Sequence, residues 1–108
     1  MRTFDLVSVS GDIREVLVNA PSVVKRVGIF GSLARGTFEL DSDIDILVEY
    51  DTALLMEMEH FSRFCALCNE IRDTLVSLYG RGVDIVHFDG DPFDSVDDEN
   101  VRNEVVWM

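Results

Sequence analysis

The sequence predicts a single α/β domain in which helices pack against one small mixed β-sheet. Segments with helically spaced apolar residues alternate along the chain with short runs rich in β-branched residues, and this alternation is typical of α/β architectures. A chain of 108 residues suffices for one compact domain with a small core. No repeat, linker or low-complexity segment divides it, so we expect residues 1–108 to form one domain.

The first half of the chain is expected to contain a helix, a strand, a helical turn and a second strand. The helix is predicted over residues 10–20, with Ser10 as its N-cap and Pro21 preventing a further turn. The strands are predicted at residues 25–30 and 44–50, where β-branched and aromatic residues are frequent.

The second half is expected to contain a long helix, a third strand and a short helix. The long helix is predicted over residues 53–79, the strand over 83–88 and the short helix over 94–104. Residues 105–107 would form either a last strand or a packed tail. The buried stripe predicted for the long helix is Leu54, Met58, Phe61, Cys65, Cys68, Ile71, Leu75 and Leu78.

A glycine–serine turn follows the first strand and is suited to a phosphate group. Gly31 allows the backbone to approach a ligand closely, and Ser32 could cap the next helix or donate to a phosphate oxygen. A helix N-terminus after a strand offers N–H groups to an anion, and Arg35 could reach the same anion. The alternative is an ordinary strand–turn–helix with a surface arginine.

A pair of carboxylates opens the second strand. Asp43 and Asp45 stand two residues apart, so in a strand both would project from one face, about 7 Å apart along the chain. Two like charges repel, and burying an unpaired charge is costly. A divalent cation bound between the carboxylates would neutralise their charge and so remove both costs. Magnesium prefers carboxylates together with phosphate oxygens. Alternatively, Asp43 only caps the turn that precedes the strand.

Together the turn and the carboxylate pair resemble the nucleotidyltransferase superfamily that includes DNA polymerase β, and most closely its minimal nucleotidyltransferases. The family pattern is Gly-Ser-x-Ala-Arg-Gly followed by Ser-Asp-x-Asp-x-x-Val, and residues 31–36 and 42–48 match it throughout. The family adds a third carboxylate on a later strand. Asp84 has that form and position, although it could instead be a solvent-facing aspartate beside Gly82.

The resemblance implies a nucleotidyltransferase fold, a reaction and two sets of site residues. The reaction would move a nucleoside monophosphate, AMP from ATP, to a hydroxyl group, with two Mg²⁺ ions bound and Asp84 helping to deprotonate the acceptor. The implied catalytic and metal-binding residues are Asp43, Asp45 and Asp84, and the implied nucleotide-binding residues are Gly31, Ser32, Arg35 and Ser42.

The charge of the chain points to a protein partner. The formal net charge is −12, from 21 acidic and nine basic residues, and no basic stripe offers a place for a nucleic acid backbone. A basic protein is the natural complement. Because the chain has no room for a separate acceptor-binding domain, that role would fall to a partner or to a second copy in a homo-oligomer.

The resemblance gives the partner a class. Minimal nucleotidyltransferases are commonly antitoxins of HEPN-type ribonuclease toxins, and some adenylylate the toxin. The alternative is a non-catalytic acidic module that neutralises a basic partner by contact. Retention of all three carboxylates favours catalysis.

Two further features concern cysteine chemistry and location. Cys65 and Cys68 stand three residues apart on a predicted helix, and we interpret them as packed free thiols rather than as a metal or redox site. The sequence begins with charged residues and contains no apolar run long enough for a membrane span. A cytoplasmic protein is therefore expected.

Overall fold

The computed structural model of the chain describes residues 3–89 and 104–108. They follow the predicted order of helices and strands, except that two helices stand in place of the predicted long one. Of the short helix predicted over residues 94–104, only the helical Glu104 lies within the described part. The elements are α1 (Leu6–Leu17), β1 (Val24–Phe30), α2 (Gly31–Arg35), β2 (Ile44–Tyr50), α3 (Thr52–Leu55), α4 (Met58–Tyr79), β3 (Val83–Asp89) and β4 (Val106–Trp107).

The strands form one mixed sheet in the order β3-β2-β1-β4. Strand β2 runs parallel to β3, whereas β1 runs antiparallel to both β2 and β4. Residues 106–107 therefore form a last strand, one of the two predicted alternatives. In that pairing Gly28 lies opposite Trp107, and a Cβ at Gly28 would lie 2.8 Å from the indole ring. Glycine thus allows the ring to lie over β1.

The helices α1 and α4 cover one face of the sheet. Residues of α1, including Val9 and Ile13, form one buried cluster with residues of α4, including Ile71 and Leu75. The sheet contributes Val27, Ile29, Ile44, Ile46 and Val48 to this cluster. Because successive residues of a strand point to opposite faces, the burial of Ile44 and Ile46 places Asp45 on the other face.

Helix α1 begins earlier than predicted, so the prediction of Ser10 as its N-cap is wrong. Asp5 is the N-cap, and its carboxylate accepts the backbone N–H of Ser8 at 2.7 Å. An N-cap aspartate satisfies one of the unpaired N–H groups in the first helical turn. Ser10 and Gly11 look like a boundary in the sequence, yet both lie inside the helix, where Ser10 is buried.

The long helix predicted over residues 53–79 is two helices. Helix α3 ends at Leu55, and α4 begins at Met58 after Glu57 as N-cap. The buried residues of α4 are Phe64, Leu67, Cys68, Ile71, Leu75 and Tyr79. Met58 and Phe61, which the predicted stripe included, are exposed, so the buried face of α4 begins with Phe64 and Leu67 instead. None of the helices in the described ranges is long and apolar enough to cross a membrane.

Candidate active site

The parallel pairing of β2 and β3 brings two of the three predicted carboxylates side by side. Asp45 lies directly opposite Asp84, on strands that are about 4.8 Å apart in any sheet. Asp43 precedes Asp45 by two residues and lies at the same end of the sheet. Asp45 is half-buried, whereas Asp43 and Asp84 are exposed. The structure therefore places Asp43, Asp45 and Asp84 together at one end of the sheet, and we call these three residues the carboxylate edge.

The glycine–serine turn contacts this carboxylate edge. Gly31 has a positive φ of 76°, which disfavours any residue with a Cβ. A Cβ at Gly31 would overlap the Asp45 carboxylate, with Oδ2 as its nearest atom. The two halves of the sequence motif therefore meet through Gly31 and Asp45, and the glycine serves both the turn and this close approach.

A second glycine holds the other carboxylate of the pair. A Cβ at Gly82 would lie 2.6 Å from Asp43 Oδ1, and the backbone N–H of Ile44 donates to the Gly82 carbonyl at 2.9 Å. Glycine at position 82 thus allows Asp43 to pack on the segment that enters β3. Gly82 and Asp43 belong to distant parts of the sequence, so no local spacing pattern predicts this contact.

The carboxylate edge is strongly anionic. Burial raises the pKa of Asp45 above its ordinary value of 3.8, and the neighbouring charges of Asp84 and Asp43 raise it further. The Arg35 guanidinium opposes this shift, while Glu104 adds to it. A divalent cation beside Asp45 would therefore relieve both the desolvation and the like-charge repulsion.

The carboxylates fit a metal in chemistry and position but do not enclose one in their present rotamers. Within the part of the chain that the structure describes, no three carboxylate, histidine or cysteine side chains converge on a common point. The Asp45 carboxylate lies against Gly31, and the Asp43 carboxylate lies against Gly82.

Of the predicted triphosphate contacts, Ser32 and Arg35 lie in the short helix α2. The prediction of Ser32 as a helix N-cap is wrong, because Gly31 is already helical and Phe30 occupies the cap position. Ser32 is half-buried in the first turn. Arg35 is half-exposed, and its NH1 donates to Glu104 Oε2 at 2.8 Å.

The remaining predicted contact, Ser42, stabilises the loop that leads into β2. Its hydroxyl accepts the backbone N–H of Glu39 at 2.7 Å. Arg81 donates from one nitrogen to the carbonyls of Glu39 and Ser42, at 2.7 and 3.0 Å. The Arg81 guanidinium also lies 3.6 Å from the Phe4 ring centroid. This arginine fixes the loop before Asp43, and no motif in the sequence marks it.

Glu104 is the other residue that sequence reasoning missed. It accepts the Gly31 N–H at 3.0 Å, although the two residues are 73 positions apart along the chain. No local spacing pattern relates residues so far apart. The pairing of β4 with β1 is the structural feature that brings them together.

The two cysteines lie away from this edge, on α4. Both are free thiols, and Cys68 is buried while Cys65 is half-buried. Burial, and then the neighbouring Cys65, raise the pKa of Cys68 to about 11. Since the thiolate is the form that binds zinc or attacks disulfides, this environment supports a packing role.

The fold and the arrangement of its motif residues define a class of protein. Residues 12–106 match the family model of the nucleotidyltransferase domain. The chain therefore belongs to the nucleotidyltransferase domain family, and the resemblance drawn from its two motifs is confirmed.

Three relatives show the range of its similarities. The chain is 36% identical over 63 residues to the protein adenylyltransferase MntA of Thermococcus cleftensis, and this match spans 58% of the chain and about half (54%) of that protein. A solved structure described as a minimal nucleotidyltransferase superposes with a TM-score of 0.61 at 27% identity, covering 98% of both chains. A toxin–antitoxin structure with AMP-PNP gives a TM-score of 0.55 at 22% identity, covering 90% of this chain and 69% of the other. At that identity the last likeness shows the fold alone.

Proposed function

We propose that this chain is a metal-dependent nucleotidyltransferase that moves AMP from ATP to a hydroxyl group of a protein partner. One observation carries the proposal. The glycine–serine turn at Gly31 contacts Asp45, and Asp45 lies opposite Asp84. A phosphate-binding turn in contact with a carboxylate edge is what transfer of a phosphoryl group requires.

The carboxylates Asp43, Asp45 and Asp84 would hold Mg²⁺, two ions in the complete site. Bound Mg²⁺ supplies neutralisation of phosphate charge and polarisation of the reacting oxygens. The anionic surroundings of Asp45 support this assignment, because the same charges that raise its pKa attract a cation.

The other residues would orient the nucleotide. Gly31, which has no Cβ, would let the turn approach the triphosphate closely. The hydroxyls of Ser32 and Ser42 would contact the triphosphate, and Arg35 would neutralise its charge. The acceptor oxygen attacks the α-phosphorus, the bond to pyrophosphate breaks, and the hydroxyl proton passes to Asp84. Catalysis would come mainly from positioning and from fixed charges.

The partner would be a basic protein, and we propose a toxin of the HEPN ribonuclease type. The net charge of −12 suits such a partner and disfavours direct binding to nucleic acid. A curated relative is named a protein adenylyltransferase, and a structural neighbour is one component of a toxin–antitoxin pair. In this proposal the protein is a cytoplasmic antitoxin, and a second copy in a homo-oligomer is the alternative source of the acceptor platform.

Neutralisation by contact alone is the second candidate, favoured by the large negative charge. The two functions differ in whether the carboxylate edge is needed. The variant Asp43→Asn/Asp45→Asn removes this edge, and Asp41→Asn/Asp73→Asn is its matched control, since it removes two exposed aspartates outside the site.

The test begins with calorimetry of ATP binding with and without Mg²⁺. We expect Mg²⁺-dependent binding by the wild type and the control, and none by Asp43→Asn/Asp45→Asn. Where the neighbouring reading frame encodes a small helical protein, that protein is then incubated with ATP, Mg²⁺ and each form, and its intact mass is measured. A gain of one adenylyl group with wild type and control only supports transfer. Unchanged mass together with full protection of cells by the Asn variant would establish neutralisation by contact.

A further inference from the structure

Glu104 occupies a central place in the nucleotide turn although it belongs to the C-terminal end of the chain. Its Oε1 accepts the backbone N–H of Gly31 at 3.0 Å, and its Oε2 accepts from Arg35 NH1 at 2.8 Å. These two donors are the backbone and side-chain groups that flank the turn. One carboxylate therefore holds both ends of α2.

The Glu104 carboxylate is enclosed, and its backbone is fixed. The side chain is only 7% exposed, against 50% for Arg35. Two residues further on, Val106 pairs with Ile29, and Trp107 pairs with Gly28 on β1. Strand β1 leads directly into Gly31, so the sheet fixes the distance between Glu104 and the turn.

We propose that Glu104 is a positioning residue of the nucleotide site, which keeps the Gly31 turn and the Arg35 side chain in the arrangement that receives the triphosphate. The proposal rests on the proposed function, because it concerns the same turn. Glu104 itself would not touch the reacting atoms.

The charges around Glu104 favour a specific role over a general structural one. Its carboxylate lies near enough to Asp45 to add to the negative potential there. This repulsion between carboxylates disfavours folding, so another interaction of Glu104 must compensate for it. Glu104 provides the hydrogen-bond acceptor for the N–H of the buried Gly31. Without Glu104 this buried donor would be unsatisfied. Arg35 also gains a fixed orientation while four of its five N–H donors stay available for phosphate.

A competing interpretation is that Glu104 takes the place of a phosphate and must leave when nucleotide binds. The two interpretations make opposite predictions for its removal. A positioning residue improves nucleotide binding, whereas an internal competitor weakens it. The low exposure of the carboxylate favours positioning, because displacement would break its bonds to both the Gly31 N–H and Arg35.

The test compares Glu104→Ala, Glu104→Gln and Glu104→Asp by two measurements. The first is the amide resonance and hydrogen exchange of Gly31 in the protein without nucleotide. The second is the dissociation constant of Mg²⁺–ATP by calorimetry. Glutamine has the same side-chain length as glutamate and keeps one acceptor oxygen. Aspartate keeps the negative charge, but its shorter side chain places the carboxylate farther from Gly31 and Arg35. We expect weakening of about tenfold with alanine, which corresponds to about 1.4 kcal/mol. The losses should be smaller with aspartate and with glutamine, which can accept from Gly31 or from Arg35 but not from both.

The matched control is Asp51→Ala. Asp51 also accepts a backbone N–H, that of Leu54 at 3.1 Å, as the N-cap of α3, and it follows the last residue of β2, outside the turn. We expect it to lower stability without changing the Gly31 amide or ATP affinity. A double-mutant cycle with Arg35→Met should show that the Glu104 and Arg35 effects are not additive.

Several outcomes would overturn the proposal. Tighter ATP binding by Glu104→Ala would establish the competitor role, and lowered stability with unchanged affinity would leave only a structural role. If the alanine variant does not fold, equal affinity in the Gln and Asp variants and wild type would count against positioning. If wild type binds no nucleotide, the proposed function fails, and an unchanged Gly31 amide in Glu104→Asp would then overturn the positioning role independently.

Discussion

Asp45 and Asp84 are direct neighbours across the only parallel strand pair in the described sheet, β2 and β3. They belong to segments joined by the two helices α3 and α4, so the parallel pairing is what converts two distant aspartates into one anionic edge. Asp45 is the more buried of the two, so the free-energy cost of desolvation and charge repulsion is greatest for its carboxylate. This relationship predicts that the stability of the protein depends on pH.

Asp45→Asn should stabilise the protein at neutral pH when divalent cations are absent. The pKa of Asp45 is raised in the folded state, so its contribution to stability is full below its ordinary value and is lost as pH rises through the folded-state value. Asparagine removes the neutral-pH penalty, so the gain over wild type should be larger at about pH 7 than at about pH 4. Urea unfolding at both pH values measures this, with Asp41→Asn as the control. A gain that grew toward acid would contradict the prediction.

Gly31→Ala should be more damaging than Gly36→Ala. Both glycines have positive φ, 76° and 77°, so each alanine should carry a left-handed penalty of about 1–2 kcal/mol. A Cβ at Gly36 meets nothing within 4 Å, whereas one at Gly31 overlaps Asp45. Urea unfolding should therefore show a larger loss for Gly31→Ala, and calorimetry should show weaker Mg²⁺–ATP binding for that variant alone. Equal effects of the two substitutions would show that the Asp45 contact is unimportant.

The sequence predicted best where one physical preference dominates. Strand β2 was predicted over 44–50 and spans Ile44–Tyr50, because alternation of isoleucines with aspartates has one reasonable interpretation. Helix starts were less predictable. Asp5 and Ser10 are both acceptable N-caps, and the choice depends on whether Leu6 and Val9 pack into the core as part of the helix, which the local sequence does not reveal. The stripe of α4 was ambiguous for the same reason, since Phe61 and Phe64 each begin an acceptable helical series.

The candidate site shows the same division. Asp43, Asp45 and the glycine–serine turn were predictable because they lie within one short segment and form a known pattern. Contacts that depend on tertiary structure were not, as with Arg81 on the loop before Asp43 and Glu104 on Gly31. Their partners are 39–42 and 73 residues distant along the chain, and only the folded sheet relates them.

Replacing the cysteines should affect packing and leave metal content unchanged. Cys68 is buried and Cys65 half-buried, so Cys68→Ala should cost more than Cys65→Ala, and the double variant should lose roughly 1–2 kcal/mol, less than for larger apolar side chains. Urea unfolding and metal analysis by mass spectrometry provide the measurements. Loss of one equivalent of zinc in the double variant would show that the thiols bind metal.

Arg81→Lys should weaken nucleotide binding more than it weakens the fold. One Arg81 nitrogen donates to the carbonyls of Glu39 and Ser42, and the planar guanidinium stacks on Phe4. Lysine keeps the charge but lacks the planar group, so the loss of stability should be about 0.5–1 kcal/mol, as for an exposed cation–π contact. The loop before Asp43 would become less ordered, and Mg²⁺–ATP affinity should fall several-fold.

Arg63→Lys is the control for Arg81→Lys, because Arg63 pairs with Glu59 on the exposed side of α4, away from the loop. Calorimetry and hydrogen exchange at the Glu39 and Ser42 amides distinguish the two variants. Faster exchange at both amides, together with weaker binding, is expected for Arg81→Lys only. Weaker binding with unchanged exchange would contradict the loop explanation, since the nucleotide would then be sensing the charge at position 81 and not the position of Asp43.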